Sequence, residues 1–209
     1  MTRIAEAGLV AVIRAESPEE AVRTVGALVE GGVRVVELTF TTPDVDTALR
    51  EARNVHGDSV LIGAGTVRTI EQVELAYESG AQFLVAPNLR EKVLEAMLST
   101  GLPSIPGVFT PSEVAIALDA GADTVKLFPA SSGGIGHLKA LLGPFPELRV
   151  LPTGGIDLIN LSTWLRAGAV AVGVGGELCS RALIKEGRWD TIAEHAREFA
   201  RVVNEARGR

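Results

Sequence analysis

Two ionisable side chains sit where strand-like sequence would bury them. They are Lys126 in "DTVKLFPA" (123–130) and Glu37 in "RVVELTF" (34–40). Burying an unpaired charge is costly, so each needs a partner or a task. An amine adds to a carbonyl only as the neutral base, and the ordinary lysine pKa of about 10.4 keeps it protonated at neutral pH. Desolvation by Val125, Leu127 and Phe128 favours the neutral form, which is the activation a Schiff-base lysine requires. A carboxylate facing such an amine is placed to shuttle protons. Structural readings stand beside these. Lys126 can lay its stem along the strand and send its ammonium to the rim, and Glu37 can be the ion-pair partner of Arg14 or Arg34. The remaining lysines, Lys92, Lys139 and Lys185, fall on expected helices or loops.

Arg14, at the end of "AVIRA" (11–15), brings a guanidinium fork suited to gripping a carboxylate at two points, whether that of a ligand or of Glu37. The glycine pairs in "LPTGGI" (151–156) and "AVGVGGEL" (171–178) permit the close backbone approach of an anion-binding nest, although tight turns between strand and helix also use glycine. His56, His137 and His195 show no metal-ligand spacing, and no metal site is expected. Cys179 is the only cysteine, which excludes an internal disulfide or a Cys-rich zinc site and reads as a small buried hydrophobe.

These residues need a scaffold, and a degenerate repeat supplies it. "EGGVRVVEL" (30–38), "SGAQFLVA" (79–86), "AGADTVKL" (120–127) and "AGAVAVGV" (167–174) each end a helix at glycine and start a short apolar strand. Between them lie "GLVAVIRA" (8–15), "VLIGAGT" (60–66), "LPSIPGV" (102–108) and "RVLPTGG" (149–155), making eight strands. Continuous apolar runs fit parallel strands covered on both faces. The intervening segments are amphipathic. Ser17, Thr69 and Thr110 are predicted N-caps, Pro18 is predicted at the first helical position, and a last helix is predicted over 189–206. The pattern predicts an α/β protein in which residues 1–209 form a single (β/α)8 TIM barrel. An open doubly wound sheet is the alternative, but a near-uniform repeat without a linker favours closure.

In a barrel, chemistry gathers at the C-terminal ends of the strands. In chain order those ends carry Arg14, then Glu37 and Thr39, Gly63 to Thr66, Pro87 and Asn88. Pro106 and Gly107 follow, then Lys126 and Phe128, Thr153 to Gly155, and Gly173 to Gly176. Glu37 and Lys126 fall on the second and sixth strands, so their side chains can share an interior layer. Loops after the seventh and eighth strands commonly bind phosphate through amides and a helix N-terminus, which places an anionic ligand at Gly154, Gly155, Gly175 and Gly176.

The 209 residues, 46% hydrophobic, carry a net charge of −6 with scattered Lys and Arg, so neither nucleic acid nor an anionic membrane surface is an expected partner. No run approaches the roughly 20 apolar residues that span a bilayer, and the start lacks a signal-peptide pattern. A cytoplasmic protein acting on a small molecule is expected.

Taken in order, "AVIRAES", "GGVRVVELTFTTPD", "IGAGTV", "PGVFTPSE", "KLFPA", "GPFPELRVLPTGGI" and "AGAVAVGVG" resemble the 2-keto-3-deoxy-6-phosphogluconate (KDPG) and 4-hydroxy-2-oxoglutarate (KHG) aldolase family, from about residue 8 to residue 180. The resemblance implies a class I aldolase, typically a homotrimer without metal or other cofactor. Such an enzyme forms pyruvate and glyceraldehyde 3-phosphate from a keto-acid substrate. It implies an imine on Lys126, acid/base catalysis by Glu37 through a water, and a grip on the pyruvate carboxylate by Arg14 and Thr66. The pocket would be lined by Thr153, Phe128 and Pro87, with phosphate at Gly154, Gly155, Gly175 and Gly176. Two positions depart from the pattern. Thr41 stands where many members carry arginine, and Gly176 where relatives often carry a serine whose hydroxyl would contact phosphate. The glycine loops also allow a phosphosugar isomerase or thiamin-phosphate-type synthase, with Lys126 as a charge only, or a non-catalytic barrel holding a phosphorylated ligand.

Overall fold

Helix and strand alternate along the chain in the computed structural model, which describes residues 1–208. The strands are β1 (Leu9–Ile13), β2 (Val35–Thr39), β3 (Leu61–Gly65), β4 (Leu84–Val85), β5 (Ser104–Ile105), β6 (Gly107–Val108), β7 (Val125–Leu127), β8 (Val150–Pro152) and β9 (Val172–Val174). The helices are α1 (Thr2–Ala7), α2 (Pro18–Glu30), α3 (Val45–His56), α4 (Ile70–Glu78), α5 (Glu91–Ser99), α6 (Pro111–Asp119), α7 (Ala130–Leu142), α8 (Leu161–Arg166), α9 (Arg181–Lys185) and α10 (Trp189–Ala206).

Every pairing is parallel, and the sheet curls until the first strand lies beside the last: β1 pairs with both β2 and β9. Strand order is β5-β4-β3-β2-β1-β9 in one sheet and β6-β7-β8 in the other. The run 102–108, expected as one strand, is two. Pro106 has no N–H to give a ladder, so Ser104 and Ile105 pair with β4 while Gly107 and Val108 pair with β7. At the other junction Thr153 bridges to Gly173, and the Val170 amide donates to Val150 O at 3.0 Å.

The predicted caps form. Ser17 accepts from the Glu20 amide, Thr69 from the Gln72 amide, and Thr110 builds a reciprocal capping box with Glu113. Such caps typically contribute about 1 kcal/mol each. The last helix, α10, turns Ile192, Ala196, Phe199 and Val203 inward. It approaches so closely that a Cβ on Gly31 would lie 2.3 Å from the Ala196 methyl.

Alternation along the strands gives two cores. One face packs against the helices, as Val36, Leu38, Val125 and Leu127 do. The other turns into the curl, where Val10, Val35, Leu61, Phe83 and Ile105 pack together. Helix α1, which the sequence reading did not anticipate, adds Ile4 to this inner cluster and covers the N-terminal end. Arg207 ties α1 down by donating to the Ala5, Glu6 and Val170 carbonyls. Among the described residues, no helix is long and apolar enough to cross a membrane.

Candidate active site

Because side chains alternate along a strand, outward Val125 and Leu127 turn Lys126 inward, and outward Val36 and Leu38 do the same for Glu37. Their ends meet: Lys126 Nζ lies 3.7 Å from Glu37 Oε1. Both residues are buried, with 3% and 1% of their surface exposed. The ion pair of Glu37 is therefore with Lys126, and not with Arg14 or Arg34. Arg34 instead donates to the Val29 and Val33 carbonyls. Among the described residues, neither Glu37 oxygen accepts a hydrogen bond. Lys126 Nζ also sits 5.4 Å from the centre of the Phe128 ring, within cation–π range.

Glycines make the space. The register sets Glu37 between Val12 and Gly63, and Lys126 beside Gly107. A Cβ on Gly65 would fall 1.9 Å from Glu37 Oε1, and one on Gly173 would fall 2.3 Å from Thr153 Oγ1. The sequence reading placed these glycines at strand ends but did not give them this role. The signal was present in the twofold period of β2 and β3, and using it required the register. The Thr153 hydroxyl is buried without a hydrogen-bond partner among the described residues.

Arg14, Phe128 and Thr153 line one pocket of about 170 Å³ with the pairs Gly154–Gly155 and Gly175–Gly176. Gly154 and Gly155 are both left-handed, with φ of 95° and 72°, a conformation glycine takes without strain. Arg14 Nη1 lies 3.2 Å from where a Gly175 Cβ would stand. Among the described residues the Arg14 guanidinium makes no hydrogen bond or ion pair, which leaves its donors for a ligand. The 13-residue α7 starts beside this pocket, but its Ala130 and Ser131 amides donate to the Thr153 and Gly154 carbonyls, and no long helix follows β8 or β9 directly. After β8 the chain makes a turn in which Asp157 accepts from the amides of Ile159 and Asn160, and after β9 a turn closes on Gly175 O before the five-residue α9. The glycine pairs lie in loops, and the helices that follow them, α8 and α9, have only six and five residues. Glu177, not singled out from the sequence, lines the same pocket.

Thr66 and Pro87 stand elsewhere on the rim, at the ends of β3 and β4, and do not line that pocket. Thr66 is left-handed at φ 57°, uncommon for a branched residue. The Pro87 carbonyl packs 2.3 Å from a Cβ position at Gly107. Thr41, where an arginine is common in the resembled family, lies 2.7 Å from Thr39 Oγ1, and Thr39 in turn donates to Ile13 O.

Burial pushes the Cys179 thiol up to about 12, against a smaller opposing pull from Arg14, so it is inert as a nucleophile. His137 pairs with Phe109 O and stacks on the Phe109 ring. Among the described residues no group of three or more His, Cys, Asp or Glu side chains could hold a metal ion. What remains is a buried amine beside a carboxylate, next to a pocket with an unengaged guanidinium and open amides. That set can add an amine to a carbonyl and move a proton beside it.

The family model for KDPG and KHG aldolases matches residues 1–195. The chain is 37% identical over 202 residues to the 2-dehydro-3-deoxy-phosphogluconate aldolase of Haemophilus influenzae, covering 96% of this chain and 95% of that one. It is 34% identical over 199 residues to the 2-dehydro-3-deoxy-6-phosphogalactonate aldolase of Escherichia coli, covering 95% of each. The crystal structure of KDPG aldolase from Legionella pneumophila, with pyruvate captured at low pH as a covalent carbinolamine intermediate, superposes with a TM-score of 0.88 at 36% identity. That match covers 93% of this chain and 94% of the other.

Proposed function

We propose, from the premise that this chain belongs to the KDPG and KHG aldolase family, that it cleaves 2-keto-3-deoxy-6-phosphogluconate or a related 2-keto-4-hydroxy acid to pyruvate and an aldehyde such as glyceraldehyde 3-phosphate, through an imine on Lys126. The observation that carries the reading is the buried Lys126–Glu37 pair at 3.7 Å. The pair holds both the nucleophile and the proton carrier in one layer. The carbinolamine captured in the Legionella relative supports it.

In this reading the Lys126 amine adds to the C2 carbonyl, and the carbinolamine hydroxyl takes a proton and leaves as water to give the iminium. Glu37, through a water, takes the proton from the C4 hydroxyl. The C3–C4 bond then breaks, its electrons pass into the iminium to form an enamine, and the aldehyde departs. A proton returned to C3 regenerates the iminium, and water adds to it to release pyruvate, the free amine and a proton. Arg14 and Thr66 hold the carboxylate. Phe128 and Thr153 shape the pocket, Pro87 borders the rim at the end of β4, and the amides at Gly154, Gly155, Gly175 and Gly176 receive an anionic tail.

The same reading takes residues 1–209 as one (β/α)8 domain, closed at Pro106 and at the Thr153–Gly173 bridge, working as a cytoplasmic homotrimer. Light scattering of the purified protein tests the trimer. An isomerase or thiamin-phosphate-type synthase would need Lys126 only as a charge, and membership in an aldolase family weighs against it. Incubation with pyruvate and borohydride should add the mass of reduced pyruvate to the peptide bearing Lys126. Modification of another lysine, or none, would overturn the proposal.

A further inference from the structure

We infer that Thr39 and Thr42 are positioning residues for Arg14. Two buried hydroxyls clamp the peptide units on either side of it and so fix where its guanidinium meets the substrate's carboxylate. This rests on the aldolase reading above.

Arg14 lies just past the ladder of its own strand. The pairing of β1 with β2 ends at Ile13 and Leu38, and its pairing with β9 ends at Ala11 and Val174. From there the end of β2 and the loop after it take over. Thr39 Oγ1 donates to the Ile13 carbonyl at 3.0 Å, and Thr42 Oγ1 accepts from the Ala15 amide at 3.1 Å. Those two groups belong to the peptide units that flank the Arg14 Cα, so each side of that atom is pinned by one threonine. The Thr42 amide donates in turn to Thr39 O at 2.9 Å, which ties both threonines into one turn.

Both threonines are buried, with 0% and 3% of their surface exposed, and a buried hydroxyl needs a partner. That theirs are the peptide groups around one arginine matters because little else steers it. Among the described residues the Arg14 guanidinium makes no hydrogen bond or ion pair, so its direction follows from the backbone that carries it. It is the only cationic side chain lining the pocket of the glycine loops. A two-point grip on a carboxylate works only from a fixed orientation.

The experiment compares Thr42→Val, which removes the hydroxyl, with Thr42→Ser, which keeps it. Thr24→Val is the control, deleting a buried hydroxyl that donates to Glu20 O within α2. Imine formation is measured by borohydride trapping with pyruvate and with hydroxyacetone, a ketone of similar size without a carboxylate. Thr42→Val should raise the half-saturating pyruvate concentration about tenfold, the effect of one lost charge-assisted hydrogen bond, and leave hydroxyacetone trapping within about twofold of wild type. Thr42→Ser and Thr24→Val should match wild type. In an Arg14→Gln background Thr42→Val should add nothing, since nothing is left to position. Should Thr42→Val not fold, Thr39→Val carries the same test, because it strands a carbonyl and not an amide. Equal losses with both ketones, unchanged pyruvate saturation, or an additive effect with Arg14→Gln overturns the inference. If wild type traps neither ketone, the aldolase reading fails. The Arg14 Nε–H resonance in heteronuclear NMR then decides the clamp: Thr42→Val should shift or broaden it, and an unchanged resonance overturns the inference.

Discussion

Gly65 stands directly against Glu37, with the carboxylate occupying the volume a β-carbon would need: Oε1 is 1.9 Å and Cδ 2.3 Å from that position. Glu37 can lie flat in the layer with Lys126 only because the facing strand has no side chain there.

Gly65→Ala should therefore expel the carboxylate from its seat. Displacing a reacting group by about 1 Å costs on the order of a hundredfold in rate, and overpacking costs about 1–3 kcal/mol. Steady-state pyruvate release and urea unfolding should show both losses, with far-UV circular dichroism preserved. Gly136→Ala on α7, where a Cβ meets nothing within 4 Å, is the matched control and should keep its activity.

The Lys126–Glu37 pair predicts an asymmetry in stability. Lys126→Met leaves a buried carboxylate that has no hydrogen-bond partner among the described residues, and stranding one member of a buried pair typically costs about 3–5 kcal/mol. Adding Glu37→Leu should return that loss or exceed wild-type stability, although neither variant would turn over substrate. Chemical denaturation of the two single variants and the double variant closes the cycle. Additive effects would mean the two groups are not coupled.

Thr153→Val keeps the shape of the side chain and removes a hydroxyl that is buried without a partner. Deleting an unsatisfied polar group costs little, so the melting temperature should hold or rise. If the hydroxyl serves the reacting molecule, kcat should fall at least about tenfold in the same variant. A drop in stability with normal kcat would assign Thr153 to the scaffold.

Cys179 should resist iodoacetamide at pH 8 in the native protein and take one adduct in urea, since its thiol is buried and pushed up to about 12 from an ordinary 9.0. The unfolded chain loses this proton first as pH rises. The thiol's contribution to stability is therefore complete below pH 9 and is lost between pH 9 and about 12. Cys179→Ala should flatten that part of the melting-temperature profile, and an identical slope would refute the assignment.

Lys126 and Glu37 were legible in the sequence because a charge inside an apolar run stands out without any knowledge of neighbours. Ser17, Thr69 and Thr110 were legible because a cap is a local contact, and α10 because its apolar stripe and bounds lie in one segment. The partner of Glu37 was not, since Arg14, Arg34 and Lys126 all met the requirement of charge and only the strand register separates them. The break at Pro106 was written in "SIPGV", where a residue without an N–H interrupts a ladder. Helix α1 was missed because a single inward residue, Ile4, carries its packing.

Ile4 and the apolar residues around it make the curled sheet a cup with one mouth. In the proposed reaction, whatever is bonded at the buried Lys126 lies deeper than whatever rests against the more exposed glycine loops. For a reaction that divides one molecule into two, the outer fragment must leave before the inner one, and in the condensing direction it must arrive after it. Ordered release is then a property of the floor, set by a helix that touches no reactant.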